Sequence, residues 1–94
     1  MKAYLVLDFS INDLAGFRRY IAEIPANIAR HAGKYIVRGV PPTPVEGDWA
    51  PELMVIIEFP SRHNAEAFLA DPEIVDLFKI RHQTTTSRLV LVNG

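Results

Sequence analysis

Two acidic side chains near the ends of predicted strands are the sharpest candidates for chemistry. Asp8 comes near the end of the first apolar strand and Glu58 near the end of the third. If these strands lie side by side and parallel, the carboxylates approach each other. In such a pair one pKa can rise and the other fall, so that one group acts as acid and the other as base. We expect Arg38, or as second choice Arg88, to bind one of them. The predicted catalytic set is therefore Asp8, Glu58 and Arg38, although a structural ion-pair network is the weightier alternative, because ion pairs also shift pKa values.

Four further residues are predicted to line a ligand site, namely Tyr20, Trp49, His63 and Arg81. Arg81 continues the apolar stripe of the last predicted helix, so its guanidinium could enter a space between helix and sheet and hold a carboxylate or phosphate. In the alternative, its stem is covered and its charge reaches solvent. Trp49, the only tryptophan, lies in a proline-rich loop. It suits an interface anchor, a cover for its own core, or a ligand-lining residue.

The histidines and the absence of cysteine bear on metal binding. His31, His63 and His82 stand in three separate helical segments without H-x-x-x-H or H-x-E spacing, and the chain has no cysteine. Protein metal sites need several such ligands at matching positions. We therefore predict no metal site, and no motif indicates a bound cofactor.

Composition and charge exclude two classes of partner. The 94 residues carry a formal net charge of −1 and the pI is about 6.3, which gives no basic footprint for nucleic acid or an anionic membrane. No apolar run approaches the ~20 residues of a membrane span, and the first residues alternate as a strand does, unlike a signal peptide. We expect one cytoplasmic domain over residues 1–94.

Hydrophobic periodicity predicts the elements that carry these residues. The predicted strands cover residues 2–9, 34–39, 52–59 and 88–93, and the predicted helices cover 13–32, 61–70 and a further segment opened by Asp71 and Pro72. Asp13 and Ser61 suit helix N-caps, and Gly33 suits the residue that ends the first helix. The order is β-α-β-β-α-β, the ferredoxin-like α+β arrangement of a four-stranded antiparallel sheet with its helices on one face.

Both faces of this sheet are predicted to be apolar. In the first and third strands each alternating set is apolar: Leu5 and Leu7 against Tyr4 and Val6, and Val55 and Ile57 against Met54 and Ile56. The helices cover one face only, and a monomer rarely exposes an apolar patch as large as the other. We therefore predict a homodimer formed through the helix-free sheet face.

Three segments resemble a known bacterial family. They are "AYLVLDFSINDLAGFRRYIAEIPANIARHAGKYIVRG", "EGDWAPELMVIIEFPS" and "SRLVLVNG", and the family is domain of unknown function 1330, in the dimeric α/β-barrel superfamily. The resemblance implies a ferredoxin-like protomer and a barrel made of two sheets packed face to face. It implies no activity, because proteins of this architecture include cofactor-independent monooxygenases, lactone isomerases, haem enzymes and ligand-sensing domains.

Two function classes follow from the sequence. The first is a small cofactor-independent enzyme that acts on an organic molecule in a cavity between sheet and helices. The second is a non-catalytic dimeric module that binds a small ligand or only assembles. RNA binding, known for the same sheet topology, needs aromatic residues on the exposed face, where this chain has Val6, Met54 and Ile56.

Overall fold

Four strands and three helices make up the computed structural model, which describes residues 1–94. In chain order they are β1 (Ala3–Ile11), α1 (Leu14–Arg30), β2 (Lys34–Val40), β3 (Leu53–Phe59), α2 (Arg62–Ala70), α3 (Val75–Thr84) and β4 (Thr85–Asn93). None of the helices has the length and hydropathy needed to cross a membrane.

The sheet has the strand order β2-β3-β1-β4, and every neighbouring pair is antiparallel. This confirms the predicted ferredoxin-like α+β fold. One detail of the prediction is wrong, since β1 and β3 are adjacent but antiparallel. The hairpin from β2 to β3 reverses the chain, so β3 runs against β1, and side chains at the ends of β1 and β3 lie at opposite ends of the sheet.

The hydrophobic core lies between one sheet face and the helices. The sheet contributes odd-numbered residues and the helices contribute their apolar stripes, in a cluster that includes Ala3, Leu5, Ile57, Phe59, Ile24, Ile28, Phe68, Ile74 and Leu77. Full burial of a side chain such as Phe59 stabilises the fold by about 1.5–3 kcal/mol. All the helices therefore pack on this face.

The starts of two helices follow the predicted caps. The carboxylate of Asp13 accepts a hydrogen bond from the backbone N–H of Gly16 at 3.0 Å, and the hydroxyl of Ser61 accepts one from the N–H of Asn64 at 3.2 Å. Each cap satisfies one of the N–H groups that the first helical turn leaves without a partner.

The end of α1 differs from the prediction in one residue. Ala32, not Gly33, has the left-handed backbone conformation, with φ of 63°. The N–H of Ala32 donates to Ala29 and that of Gly33 donates to Ile28, each at 2.9 Å, which is a Schellman motif. Gly33 is needed for space, because a Cβ there would lie 2.7 Å from the Phe59 ring.

Two boundaries near the C-terminus also differ from the prediction. Residues 72–74 form a turn and α3 begins at Val75, because the N–H of Glu73 bonds to the carboxylate of Asp71 and the N–H of Ile74 bonds to its carbonyl, which closes a turn before the helix. Strand β4 begins at Thr85, earlier than the predicted 88, since Thr85 pairs with Ile11 at the end of β1.

Candidate functional site

A cavity of about 260 Å³ lies between the helix-facing side of the sheet and the helices. Of the 20 residues that line it, 17 are hydrophobic, and the other three are Arg38, Gly39 and Arg81. Pockets for drug-sized ligands usually measure ~300–1,000 Å³. This space is therefore of the size that suits one small organic molecule, and its walls are chiefly apolar.

Arg81 of α3 supplies the buried charge of this cavity. Its side chain is only 5% exposed, and one guanidinium nitrogen donates to the hydroxyl of Ser87 at 3.0 Å. The guanidinium carbon lies 5.8 Å from the centre of the Phe78 ring. No Asp or Glu oxygen lies within the 4.0 Å of an ion pair.

Tyr20 of α1 places a phenol in the same cavity. Burial raises the pKa of Tyr20 to about 12, and the nearby charge of Arg81 opposes this rise. The ring stacks on Phe17, with 5.0 Å between the centroids. The phenol is therefore protonated at neutral pH and can donate a hydrogen bond to a bound molecule.

Arg38 reaches the rim of the cavity because β2 has two irregularities. Tyr35 pairs with Ile57, and the register then shifts around Ile36 and again around Gly39, whose φ is +64°. Each extra residue forms a β-bulge, and the side chains that follow it point to the opposite face of the sheet from the one that simple alternation would give. Arg38 consequently lies on the helix-facing side, with its guanidinium 4.5 Å from the Tyr35 ring centre.

Asp8 lies on the opposite, helix-free face. It accepts a hydrogen bond from the indole N–H of Trp49 at 2.8 Å and from Nε of Arg88 at 3.1 Å. The Trp49 bond holds the pKa of Asp8 below its usual value, with a further contribution from Arg88, while desolvation acts against them. The second-choice partner, Arg88, is thus the arginine that binds this carboxylate, because the bulges direct Arg38 to the other face.

Glu58 lies on the helix-free face at the other end of the sheet. Its carboxylate is 2.9 Å from Nζ of Lys2 and 3.8 Å from Nζ of Lys34, and the hydrogen bond from Lys2 is the main cause that lowers the pKa of Glu58. Asp8 is opposite Met54, four residues from Glu58 along β3, so about 13 Å separates them at ~3.3 Å per residue. The predicted approach of the two carboxylates is wrong, because β1 and β3 are antiparallel.

The four predicted ligand-lining residues separate into two groups. Tyr20 and Arg81 line the cavity, whereas Trp49 and His63 do not. His63 is exposed on α2, because the buried stripe of that helix runs through Ala65 and Phe68. Trp49 is 53% exposed and packs over the helix-free face beside Asp8.

Two residues of the site were not predicted from the sequence. Tyr35 lines the cavity from β2, and Ser87 of β4, which is not itself a lining residue, accepts a hydrogen bond from Arg81. The alternation Ser87, Leu89, Leu91 would have placed Ser87 on the helix-facing side if the last strand had been extended towards Thr85.

The helix-free face is apolar in its centre and charged at its two ends. Its centre consists of Tyr4, Val6, Val37, Val40, Met54, Ile56, Val90 and Val92, which the strand pairing places together. Val90 is 56% exposed and Val40 is 51% exposed. Asp8 with Arg88 borders one end, and Glu58 with its two lysines borders the other.

A buried carboxylate in the helix layer is fully paired. Asp71 is 8% exposed, and its Oδ2 lies 2.7 Å from Nε2 of His31 and 2.8 Å from Nη1 of Arg30. The hydrogen bond with His31 is the largest cause that lowers the pKa of Asp71 to about 2. This group joins the end of α1 to the turn before α3, and nowhere do three His, Asp or Glu residues converge as metal ligands would.

Solved structures with the same fold include proteins of several kinds. SnoaB, a cofactor-independent oxygenase from Streptomyces nogalater, superposes with a TM-score of 0.69 at 20% identity, over 99% of this chain and 92% of that one. A protein of unknown function from Rhodopseudomonas palustris gives 0.78 at 18% identity, over 99% and 82%. A dimeric ferredoxin-like protein of unknown function from Jannaschia sp. CCS1 gives 0.77 at 10% identity, over 100% of each chain. At these identities the similarity shows the fold alone.

At the level of sequence, one family model matches. The model of Domain of unknown function (DUF1330) covers residues 2–94, essentially the whole chain. No curated protein matches the sequence.

Proposed function

This chain belongs to the family Domain of unknown function (DUF1330), and we propose that it is a homodimeric, cofactor-independent enzyme that acts on a small organic molecule held between sheet and helices. The observation that carries this proposal is the cavity of about 260 Å³ with its apolar walls and two arginines. A protein interior is normally packed without voids larger than a water molecule. A space of this size therefore favours a bound molecule as the reason for its existence.

The polar groups of the cavity suit stabilisation of negative charge. Arg81 is a permanent cation in a site with few other polar groups, and Tyr20 can donate from its phenol. Donors fixed in an apolar environment stabilise a developing oxyanion more strongly than they would in water. Arg38 at the rim can attract and orient an anionic group on its way into the cavity.

The shared fold with SnoaB supports the enzymatic part of the proposal by analogy only. The second candidate is a non-catalytic module that binds the same molecule without changing it. The same cavity supports this second candidate. The lining contains no carboxylate or histidine, so the phenols of Tyr20 and Tyr35 are the only groups of the cavity suited to proton transfer.

The homodimer is supported by the helix-free face. Three of its valines, Val40, Val90 and Val92, are about half exposed in one chain, and the Jannaschia protein of the same fold is dimeric. A second copy on this face would cover the apolar centre and leave the ion pairs of Asp8 and Glu58 at the margins. In this proposal Asp8, Glu58 and Trp49 stabilise the interface.

Native mass spectrometry followed by a turnover assay tests the proposal. The purified protein is expected to have the mass of a dimer and to retain or take up a small organic molecule. The released molecule is identified, returned to the protein in excess and followed by chromatography with mass detection. Its conversion, slowed in a Tyr20→Phe variant that keeps the cavity shape, would support the enzyme. Recovery of the molecule unchanged would favour the binding module, and failure of every small apolar compound to enter the cavity would contradict both.

A further inference from the structure

The guanidinium of Arg81 is a buried charge without a counter-ion. Its side chain is 5% exposed, and its neighbouring polar groups are the neutral hydroxyls of Ser87, to which it donates, and of Tyr20. Removal of a charge from water is costly unless it is paired. An arginine cannot avoid the cost by losing its proton, because the guanidinium group stays charged in proteins.

The surroundings of Arg81 offer donors and lack acceptors with negative charge. Ser87 accepts from Arg81 and donates to no other group, so its hydroxyl hydrogen is free for a further partner. The phenol of Tyr20 lies close enough for the charge and a hydrogen bond of Arg81 to act on it, and its own O–H donates to no other group of the chain. Of the lining residues, the only charged ones are Arg38 and Arg81.

Such a group of donors is complementary to a molecule that only accepts hydrogen bonds. An ionised carboxylate is acceptor-only and binds a guanidinium in a planar, charge-assisted geometry. One carboxylate neutralises one arginine, whereas a phosphate dianion would bring a second buried charge that Arg81 alone does not match. The apolar remainder of the cavity then requires a hydrophobic body on the same molecule.

We propose that Arg81, with Ser87 and Tyr20, binds the carboxylate of a small hydrophobic organic acid whose apolar body occupies the rest of the cavity. This inference rests on the proposed function, because it names the class of molecule that the same cavity takes. It makes Arg81 a specificity-determining residue: it favours an acid over a neutral molecule of equal size, since the neutral molecule would leave the buried charge unpaired.

Phenylacetate and phenylacetamide are a matched pair of probes for this inference, because they differ in charge but hardly in size. Binding to the dimer is followed by amide chemical shifts in NMR titrations. Wild type is expected to bind phenylacetate at least about tenfold more tightly than phenylacetamide, with the largest shift changes around Arg81 and Ser87. Arg81→Met keeps the length of the side chain and should remove this preference. Arg18→Met removes an exposed charge of α1 and should keep it.

Each outcome of these titrations decides a separate point. Equal affinity of wild type for acid and amide, or an unchanged preference in Arg81→Met, overturns the carboxylate assignment while the cavity remains a binding site. Binding of phenylacetamide alone does the same. Failure of both probes and of neutral indole to shift any cavity residue at millimolar concentration overturns the proposed function together with the inference. The comparison of the two probes in wild type needs no variant, so it stands even if Arg81→Met does not fold.

Discussion

The two faces of the sheet treat their charges in opposite ways. On the helix-free face, Asp8 is bound by Arg88 and Trp49, and Glu58 is bound by two lysines. On the helix-covered face, Arg81 has no acidic partner although it is the more deeply buried group. The helix-free face therefore combines a large apolar surface with complete ion pairs. The helix-covered face combines an apolar cavity with a cation that has no acidic partner.

This difference separates assembly from ligand binding. A protein interface typically has an apolar core and a polar rim, and the helix-free face has the same arrangement. An unpaired cation inside an apolar space has no comparable structural use, because a hydrophobic residue of similar size would usually stabilise the fold at least as well. The helix-free face therefore suits a second copy of the chain, and the covered face suits a small anion.

The largest expected effect comes from a charge placed at the centre of the helix-free face. Ile56 lies between Val6 and Val37 on this face. Ile56→Asp should reduce stability by about 3–5 kcal/mol, because dimerisation would bury an unpaired carboxylate. Size-exclusion chromatography with light scattering is expected to show a monomer or an unfolded chain where wild type shows a dimer.

A milder variant separates loss of the dimer from loss of the fold. Val90 is 56% exposed in one chain, so Val90→Lys should leave a folded monomer with intact circular dichroism. Val90→Ile is the control that keeps the surface apolar. Wild-type protein that is monomeric at micromolar concentration, or a Val90→Lys variant that remains dimeric, would contradict the assignment of the helix-free face to dimerisation.

Trp49 should come next in magnitude. Its indole contacts Asp8 but leaves 53% of the residue exposed in one chain, which suits an anchor that a partner completes. Trp49→Ala should weaken dimerisation by about 2–4 kcal/mol, as loss of an interface hot spot does. Trp49→Phe keeps a ring without the N–H donor and should weaken it by only about 1 kcal/mol. Sedimentation equilibrium measures both, and an unchanged melting temperature and dimer in Trp49→Ala would rule out the anchor.

The sequence predicts the strands, helices and their order better than it predicts which side chains meet in the candidate site. Strand alternation and the caps at Asp13 and Ser61 depend on local physics, and these predictions hold. The placement of Arg38 depends on two bulges in β2, and alternation alone cannot reveal an inserted residue. The supposed meeting of Asp8 and Glu58 failed for a different reason, because strand direction is a property of the topology and not of the strands' own residues. Arg81 was identified because an arginine on an apolar helical stripe is visible in the sequence itself.

Within the helix layer, Asp71 is a buried acid with cationic partners, whereas Arg81 is a buried cation without an acidic one. Its pKa is lowered from 3.8 to about 2, mainly by the His31 hydrogen bond. The folded state therefore binds this proton less readily than the unfolded chain, so its contribution to stability is complete above pH 3.8 and is lost as the pH falls towards 2. Urea unfolding should show wild type more stable than Asp71→Asn at neutral pH, with a gap that narrows over this window.

The matched control for this acid dependence is Glu46→Gln. It removes an exposed carboxylate of the β2–β3 loop that forms no ion pair, so its stability should follow wild type at every pH. A constant gap between wild type and Asp71→Asn down to pH 2 would show that the paired carboxylate is not the source of the acid sensitivity.

The smallest effect is expected at a residue that belongs to neither face. Ala32 has φ of 63° in the Schellman motif after α1, a conformation that glycine adopts without the steric cost of a Cβ. Ala32→Gly should raise the free energy of unfolding by about 0.5–1 kcal/mol, whereas Gly33→Ala should lower it, because its Cβ would lie 2.7 Å from Phe59. Thermal unfolding measures both.

The same Ala32→Gly variant tests whether dimerisation and ligand binding depend on overall stability. If it changed the dimer dissociation constant or the affinity for phenylacetate, these properties would follow overall stability and could not be assigned to the two faces separately. If both constants stayed the same in the more stable chain, dimerisation and ligand binding would each depend on the local structure of one face.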